Sequence, residues 1–212
     1  MKKNLTELVF IIDRSGSMGG LESDTIGGFN SMLKEQQALE GDAVVTTVLF
    51  DDQYELLHDR IDIRAVAPLT DEDYTVRGST ALLDAIGRTI NKIREVQKRT
   101  AEDYRADKVM FVIITDGCEN SSREYSADRI KNRIERQKEK YGWEFVFFGA
   151  NMDAVMEAGK LGISADRAQN YHANAVGTVT AWAAMSCVST SYRSGKPLDV
   201  NNLWKALKSK SS

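Results

Sequence analysis

The sequence has little of what builds most metal centres and disulfide frameworks. Its two cysteines, Cys118 and Cys187, lie far apart with no CxxC spacing. That rules out a disulfide scaffold and a thiolate zinc site and points to a reducing compartment. Its two histidines, His58 and His172, exclude a multi-histidine metal site. With 2 prolines in 212 residues and no Pro-rich linker, nothing divides the chain. We expect one domain over residues 1–212, with its core at about 5–193 and a tail at about 205–212 that frays. No stretch approaches the ~20 apolar residues that span a bilayer. The opening MKKNLTELVFIID turns apolar after two lysines, but Glu7 interrupts the run, Asp13 ends it, and no small-residue cleavage site follows. A cytoplasmic protein is therefore expected. The net charge of −3 argues weakly against nucleic acid as a partner, and no membrane partner is expected.

What is present is an ordinary globular composition, 42% hydrophobic and 28% charged. LVFII (8–12), VMFVII (109–114) and FVFF (145–148) are continuous apolar runs, the pattern of strands buried on both faces. AVVTTVLF (43–50) is rich in β-branched residues, and the more polar YELLHDRIDI (54–63) follows after a short gap, so it predicts an antiparallel edge strand. A short last strand is expected near Ala168–Tyr171. Between these runs, helical spacing predicts helices at 22–39, 81–104, 126–141, 152–160 and 174–192. The alternation predicts an α/β, three-layer Rossmann-like sandwich: a mostly parallel central sheet with one antiparallel edge strand and helices on both faces.

In such a sheet ligands bind beyond the carboxyl ends of the strands. The first strand ends in Asp13-Arg14-Ser15-Gly16-Ser17, the strand at 109–114 ends in Thr115-Asp116-Gly117, and the second long helix opens with Gly78-Ser79-Thr80. Asp13, Ser15, Ser17, Thr80 and Asp116 are an all-oxygen donor set, the kind hard cations select. D-x-S-x-S after a first strand, G-x-T opening a helix and T-D-G after a fourth strand resemble the metal-ion-dependent adhesion site of the von Willebrand factor type A family, and the order of elements resembles that family from about residue 5 to 193. The chain is similar to compact bacterial members with no accessory domain. The resemblance implies that the hydroxyls of Ser15, Ser17 and Thr80 bind Mg²⁺ directly, with Mn²⁺ as a substitute, while Asp13 and Asp116 hold coordinated waters. It implies a remaining coordination position for an Asp or Glu of a partner protein. An AAA+ ATPase or a stress-response protein is a plausible partner on the same ground.

Taken singly, each residue has a plainer reading. Asp13 could end a strand, Ser15 and Ser17 could be turn residues, Thr80 with Ser79 could cap a helix, and Asp116-Gly117 could make a β-turn. Cys118, Glu119 and Asn120 fall on the expected rim, and Cys118 reads as an ordinary small residue. Arg14 and Met18 are expected to point outward, where they could touch a partner, and His58 is expected on the surface. Asp51 and Asp52 read as hairpin residues, and Asn151 and Asp153 as caps of the helix at 152–160.

The leading function is a divalent-metal-dependent protein-binding module with no catalytic residues. Two alternatives stay open: a Mg²⁺-dependent hydrolase of phosphate esters, and an interaction protein with an unoccupied metal site. Enzyme motifs argue against catalysis. A dehalogenase-type phosphatase needs a second Asp where Ser15 stands, a nucleophile elbow on Ser17 would need glycine at both flanking positions but has Ser15 and Gly19, and neither G-x-G-x-x-G nor a P-loop is present.

Overall fold

The computed structural model describes residues 5–209. Six strands form one sheet in the order β3-β2-β1-β4-β5-β6. They are β1 (Thr6–Asp13), β2 (Ala43–Phe50), β3 (Tyr54–Asp62), β4 (Lys108–Thr115), β5 (Glu144–Ala150) and β6 (Ala168–Tyr171). Only β3 runs antiparallel, paired with β2 at the edge. The remaining pairs are parallel, as continuous apolar runs joined by helical crossovers require. The expected three-layer architecture is the observed one.

The helices are α1 (Glu22–Gln37), α2 (Leu82–Arg99), α3 (Ala127–Tyr141), α4 (Ala154–Lys160), α5 (Ala175–Arg193) and α6 (Val200–Lys208). α6 lies past the predicted helices. Asp199 caps it, and Val200 and Trp204 bury its inner face. Residues 205–208 of the expected tail close this helix, and 210–212 lie outside the described residues.

All eight residues of β1 are buried, because the strand occupies the middle of the sheet. Its side chains alternate between two cores. Leu8, Phe10 and Ile12 pack with Phe29 and Leu33 of α1, Trp182 and Met185 of α5 and Trp204 of α6. Val9 and Ile11 pack with Ile86 and Ile90 of α2, Ile130 and Ile134 of α3 and Ala154 of α4. Each large apolar side chain so buried contributes roughly 1.5–3 kcal/mol relative to exposure. This anchors the carboxyl end of β1 against sliding.

The strand order reverses between β1 and β4. Their register pairs Ile12 with Ile114, so Asp13 and Thr115 emerge side by side at that switch point. There the crossover connections leave in opposite directions and open a crevice.

His58 departs from its expected surface position. It is 6% exposed, stacks on Phe29 at 6.4 Å, and its Nδ1 meets Thr47 Oγ1 at 3.0 Å. The β2–β3 register shifts at Thr47, and this irregularity turns the imidazole toward α1. Burial pushes its pKa below the ordinary histidine value.

Candidate functional site

Beyond Asp13 the chain turns through Ser15 into a single 3₁₀ turn, Gly16–Met18. Asp13 organises this turn: its Oδ1 accepts the Ser15 N–H at 2.7 Å, and its Oδ2 accepts the Thr115 hydroxyl at 2.5 Å. Its backbone carbonyl accepts the Tyr74 hydroxyl at 2.5 Å. The carboxylate therefore ties the turn after β1 to the end of β4.

Three segments then meet. Ser15 Oγ lies 3.1 Å from Ser17 Oγ and accepts the Thr80 hydroxyl at 3.0 Å, and Ser17 donates to Asp116 Oδ1 at 2.5 Å. All five residues singled out in the sequence stand at one end of the sheet. Asp13, Ser15 and Thr80 are buried, Asp116 is 9% exposed, and Ser17 faces solvent. The cluster is a shallow crater with one open side.

Gly117 forms its floor. A Cβ built there would meet Thr80 Oγ1 at 2.7 Å, Ser17 Oγ at 3.0 Å and Ser15 Oγ at 3.5 Å. The three hydroxyls thus surround a point that only the absence of a side chain keeps clear.

Thr80 owes its place to neighbours the sequence did not assign. Its N–H donates to Asn120 Oδ1 at 2.9 Å, and its carbonyl accepts the Asn120 N–H at 3.1 Å. The first turn of α2 has no side-chain cap of its own; Glu119 Oε2 accepts the Leu83 N–H at 2.9 Å instead. Thr80 is therefore not the helix cap that the plainer reading offered. Asp153 does cap α4, through Met156 N–H, whereas Asn151, in a left-handed conformation at φ 53°, bonds the Ala173 N–H.

No family model matches the sequence, and no curated protein matches it. Solved structures do. The von Willebrand factor domain of Mfa5, the type V pili tip protein of Porphyromonas gingivalis, superimposes with a TM-score of 0.59 at 12% identity, over 87% of this chain and 95% of that one. A von Willebrand factor type A protein from Catenulispora acidiphila gives 0.55 at 14% identity over 88% of this chain, and VWA2, the ArnB paralog of Sulfolobus acidocaldarius, 0.54 at 16% over 84%. The chain has the von Willebrand factor type A fold. It spans 43% of the Catenulispora chain and 44% of VWA2.

Within this von Willebrand factor type A fold the crater is electrostatically unsettled. Burial pushes the Asp13 carboxyl up to about 6, against the bonds from Thr115 and Ser15, and the Asp116 charge adds to the rise. Burial also raises Asp116, opposed by the Ser17 hydroxyl. Two carboxyls beside three neutral hydroxyls, with no basic group among the described residues bonded to either, leave local negative charge uncompensated.

Arg14 and Met18 do not point outward. Met18 is fully buried in the core under α1. Arg14 is 2% exposed, with Nε on Asp51 at 3.1 Å and Nη1 on Glu55 at 2.7 Å. A guanidinium can be buried beside the crater because two acids, Asp51 of the β2–β3 turn and Glu55 at the start of β3, meet it. Asp51, read as a hairpin residue, does accept the Gln53 N–H across the turn, and also bonds Arg77 at 2.8 Å. Cys118 is an exposed free thiol. Among the described residues, no helix is long and apolar enough to cross a membrane.

Proposed function

We propose that the chain is a protein-binding module that holds a divalent cation in the crater and through it recognises an acidic residue of a partner. The observation that carries this reading is the convergence of three hydroxyls around the point left clear by Gly117, with Asp116 bonded to Ser17 and Asp13 bonded to the Ser15 N–H. Ser15, Ser17 and Thr80 would supply neutral oxygens, and Asp13 and Asp116 the charge and the anchoring bonds.

The donor set is oxygen only, which favours a hard ion. In an octahedron with Mg–O bonds of ~2.1 Å, neighbouring oxygens stand about 3 Å apart. The spacings of 3.1 Å for Ser15–Ser17 and 3.0 Å for Ser15–Thr80 suit Mg²⁺ or Mn²⁺ better than Ca²⁺, whose longer bonds spread its ligands. When bound, the cation supplies an electrophilic position for a carboxylate. The crater's open side, at Ser17, admits one, and a charge-assisted contact partly shielded by an interface is strong.

The test has two stages. Calorimetric titration of the metal-free chain should show one Mg²⁺ or Mn²⁺ per chain, lost in Asp13→Ala. Partner captured in Mg²⁺ should be released by EDTA and should lose affinity when one of its Asp or Glu residues becomes Ala. Full capture in EDTA, or indifference to every such acid, overturns the reading.

A further inference from the structure

Asp51 joins two of the three segments that build the crater. Its Oδ2 accepts Arg14 Nε at 3.1 Å and Arg77 Nε at 2.8 Å, and its backbone carbonyl accepts the Ala81 N–H at 2.9 Å. Arg14 immediately precedes Ser15, and Ala81 immediately follows Thr80. The same two segments are tied directly: Arg77 N–H donates to the Arg14 carbonyl at 2.9 Å, and Gly16 N–H to the Gly78 carbonyl at 3.1 Å. The Arg14 N–H reaches the Phe50 carbonyl at the end of β2, at 2.8 Å. Ser15 and Thr80 are thus held by these direct bonds and, from behind, by the β2–β3 turn, where Asp51 reaches both segments.

The charges are also matched. Arg14 and Arg77 are met by Asp51 and Glu55, and the Asp52 charge also acts on Arg77. Asp51 and Arg14 are buried, so solvent does little to screen them. The arginines would otherwise project positive charge at a crater that must attract a cation.

We infer that Asp51 and Arg14 are positioning residues of the ion site: they touch no ligand atom, but set the spacing of Ser15 and Thr80 and cancel the positive field beside them. This rests on the proposed ion-binding reading. The planar fork of Arg14 is what reaches both acids at once, and a lysine offers a single point of contact instead.

The experiment measures Mn²⁺ affinity of the full chain by calorimetry and electron paramagnetic resonance, with thermal unfolding in EDTA alongside. Asp51→Asn and the milder Arg14→Lys should each weaken Mn²⁺ binding by about 10–100-fold, the range for residues supporting ligands from behind. Asp52→Asn removes the same charge one residue along, on an exposed side chain, and should change affinity less than threefold. Arg14→Lys serves as the reporter should Asp51→Asn fail to fold. Wild-type affinity retained in Arg14→Lys, or an equal loss in Asp52→Asn, overturns the assignment while leaving the ion site intact. A wild-type chain that takes up no Mn²⁺ overturns the ion site and this assignment together.

Discussion

Gly117 and Thr80 approach so closely that a Cβ on the glycine would stand 2.7 Å from the threonine Oγ1. No strained backbone angle is involved, so Gly117→Ala acts through space alone. One of the two segments must shift, and the hydroxyl spacing widens with it. Mn²⁺ affinity should fall at least about tenfold, the low end of the effect of disturbing a ligand's support, while the melting temperature in EDTA changes by only a few degrees. Unchanged Mn²⁺ affinity would show that these hydroxyls are not the ligands.

The metal-free site should cost stability in a pH-dependent way. The Asp13 carboxyl is raised from 3.8 to about 6 by burial. Between those values the folded chain keeps a proton that the unfolded chain has released. Stability therefore falls as pH rises through that window, by roughly 3 kcal/mol from this group alone at neutral pH. Asp13→Asn should melt several degrees higher than wild type at pH 7 in EDTA, with the difference vanishing toward pH 4. An ion must displace the same proton, so Mn²⁺ affinity should decline below about pH 6. Thermal unfolding at several pH values checks the first statement and calorimetry the second; an Asp13→Asn variant no more stable at pH 7 refutes the linkage.

Neighbouring glycines of α1 should respond in opposite directions. A Cβ on Gly28 would stand 2.2 Å from Trp182 Cδ1, inside a packed core, whereas one on Gly27 meets nothing within 4 Å. Gly28→Ala should destabilise by about 1–3 kcal/mol through overpacking. Gly27→Ala should stabilise by up to about 1 kcal/mol, since alanine is the better helix former. Urea unfolding of both variants decides the matter, and a stable Gly28→Ala would mean that α1 and α5 are free to separate.

The strands and five of the helices were legible because continuous apolar runs and 3.6-residue stripes are local signals. The five crater residues were legible because their order along the chain matched three strand and helix ends. Arg14 was not. Its environment is set by Asp51, 37 residues away, and a charged side chain in a glycine-rich loop reads as solvated unless that partner is known. His58 was misplaced for a related cause: a shift in β-pairing turned it inward, and such shifts leave little trace in alternation. Helix α6 did carry a signal, Asp199 ahead of Val200, Leu203, Trp204 and Leu207 at helical spacing. Asn120 and Glu119 fell on the expected rim, but their role in holding Thr80 and α2 appears only once β4 and α2 lie together.

The bond from Thr115 to Asp13 joins residues 102 positions apart. Closing so long a loop comes late in folding, after most local structure has formed. A growing or truncated chain that lacks β4 therefore has half a crater and nothing to offer a cation. An ion held there would add its binding energy only to the finished domain. Such an ion would hardly hasten folding; it would slow unfolding. Refolding rates should match with and without Mg²⁺, while unfolding rates should drop as Mg²⁺ is added, so that the metal acts as a latch closed after assembly.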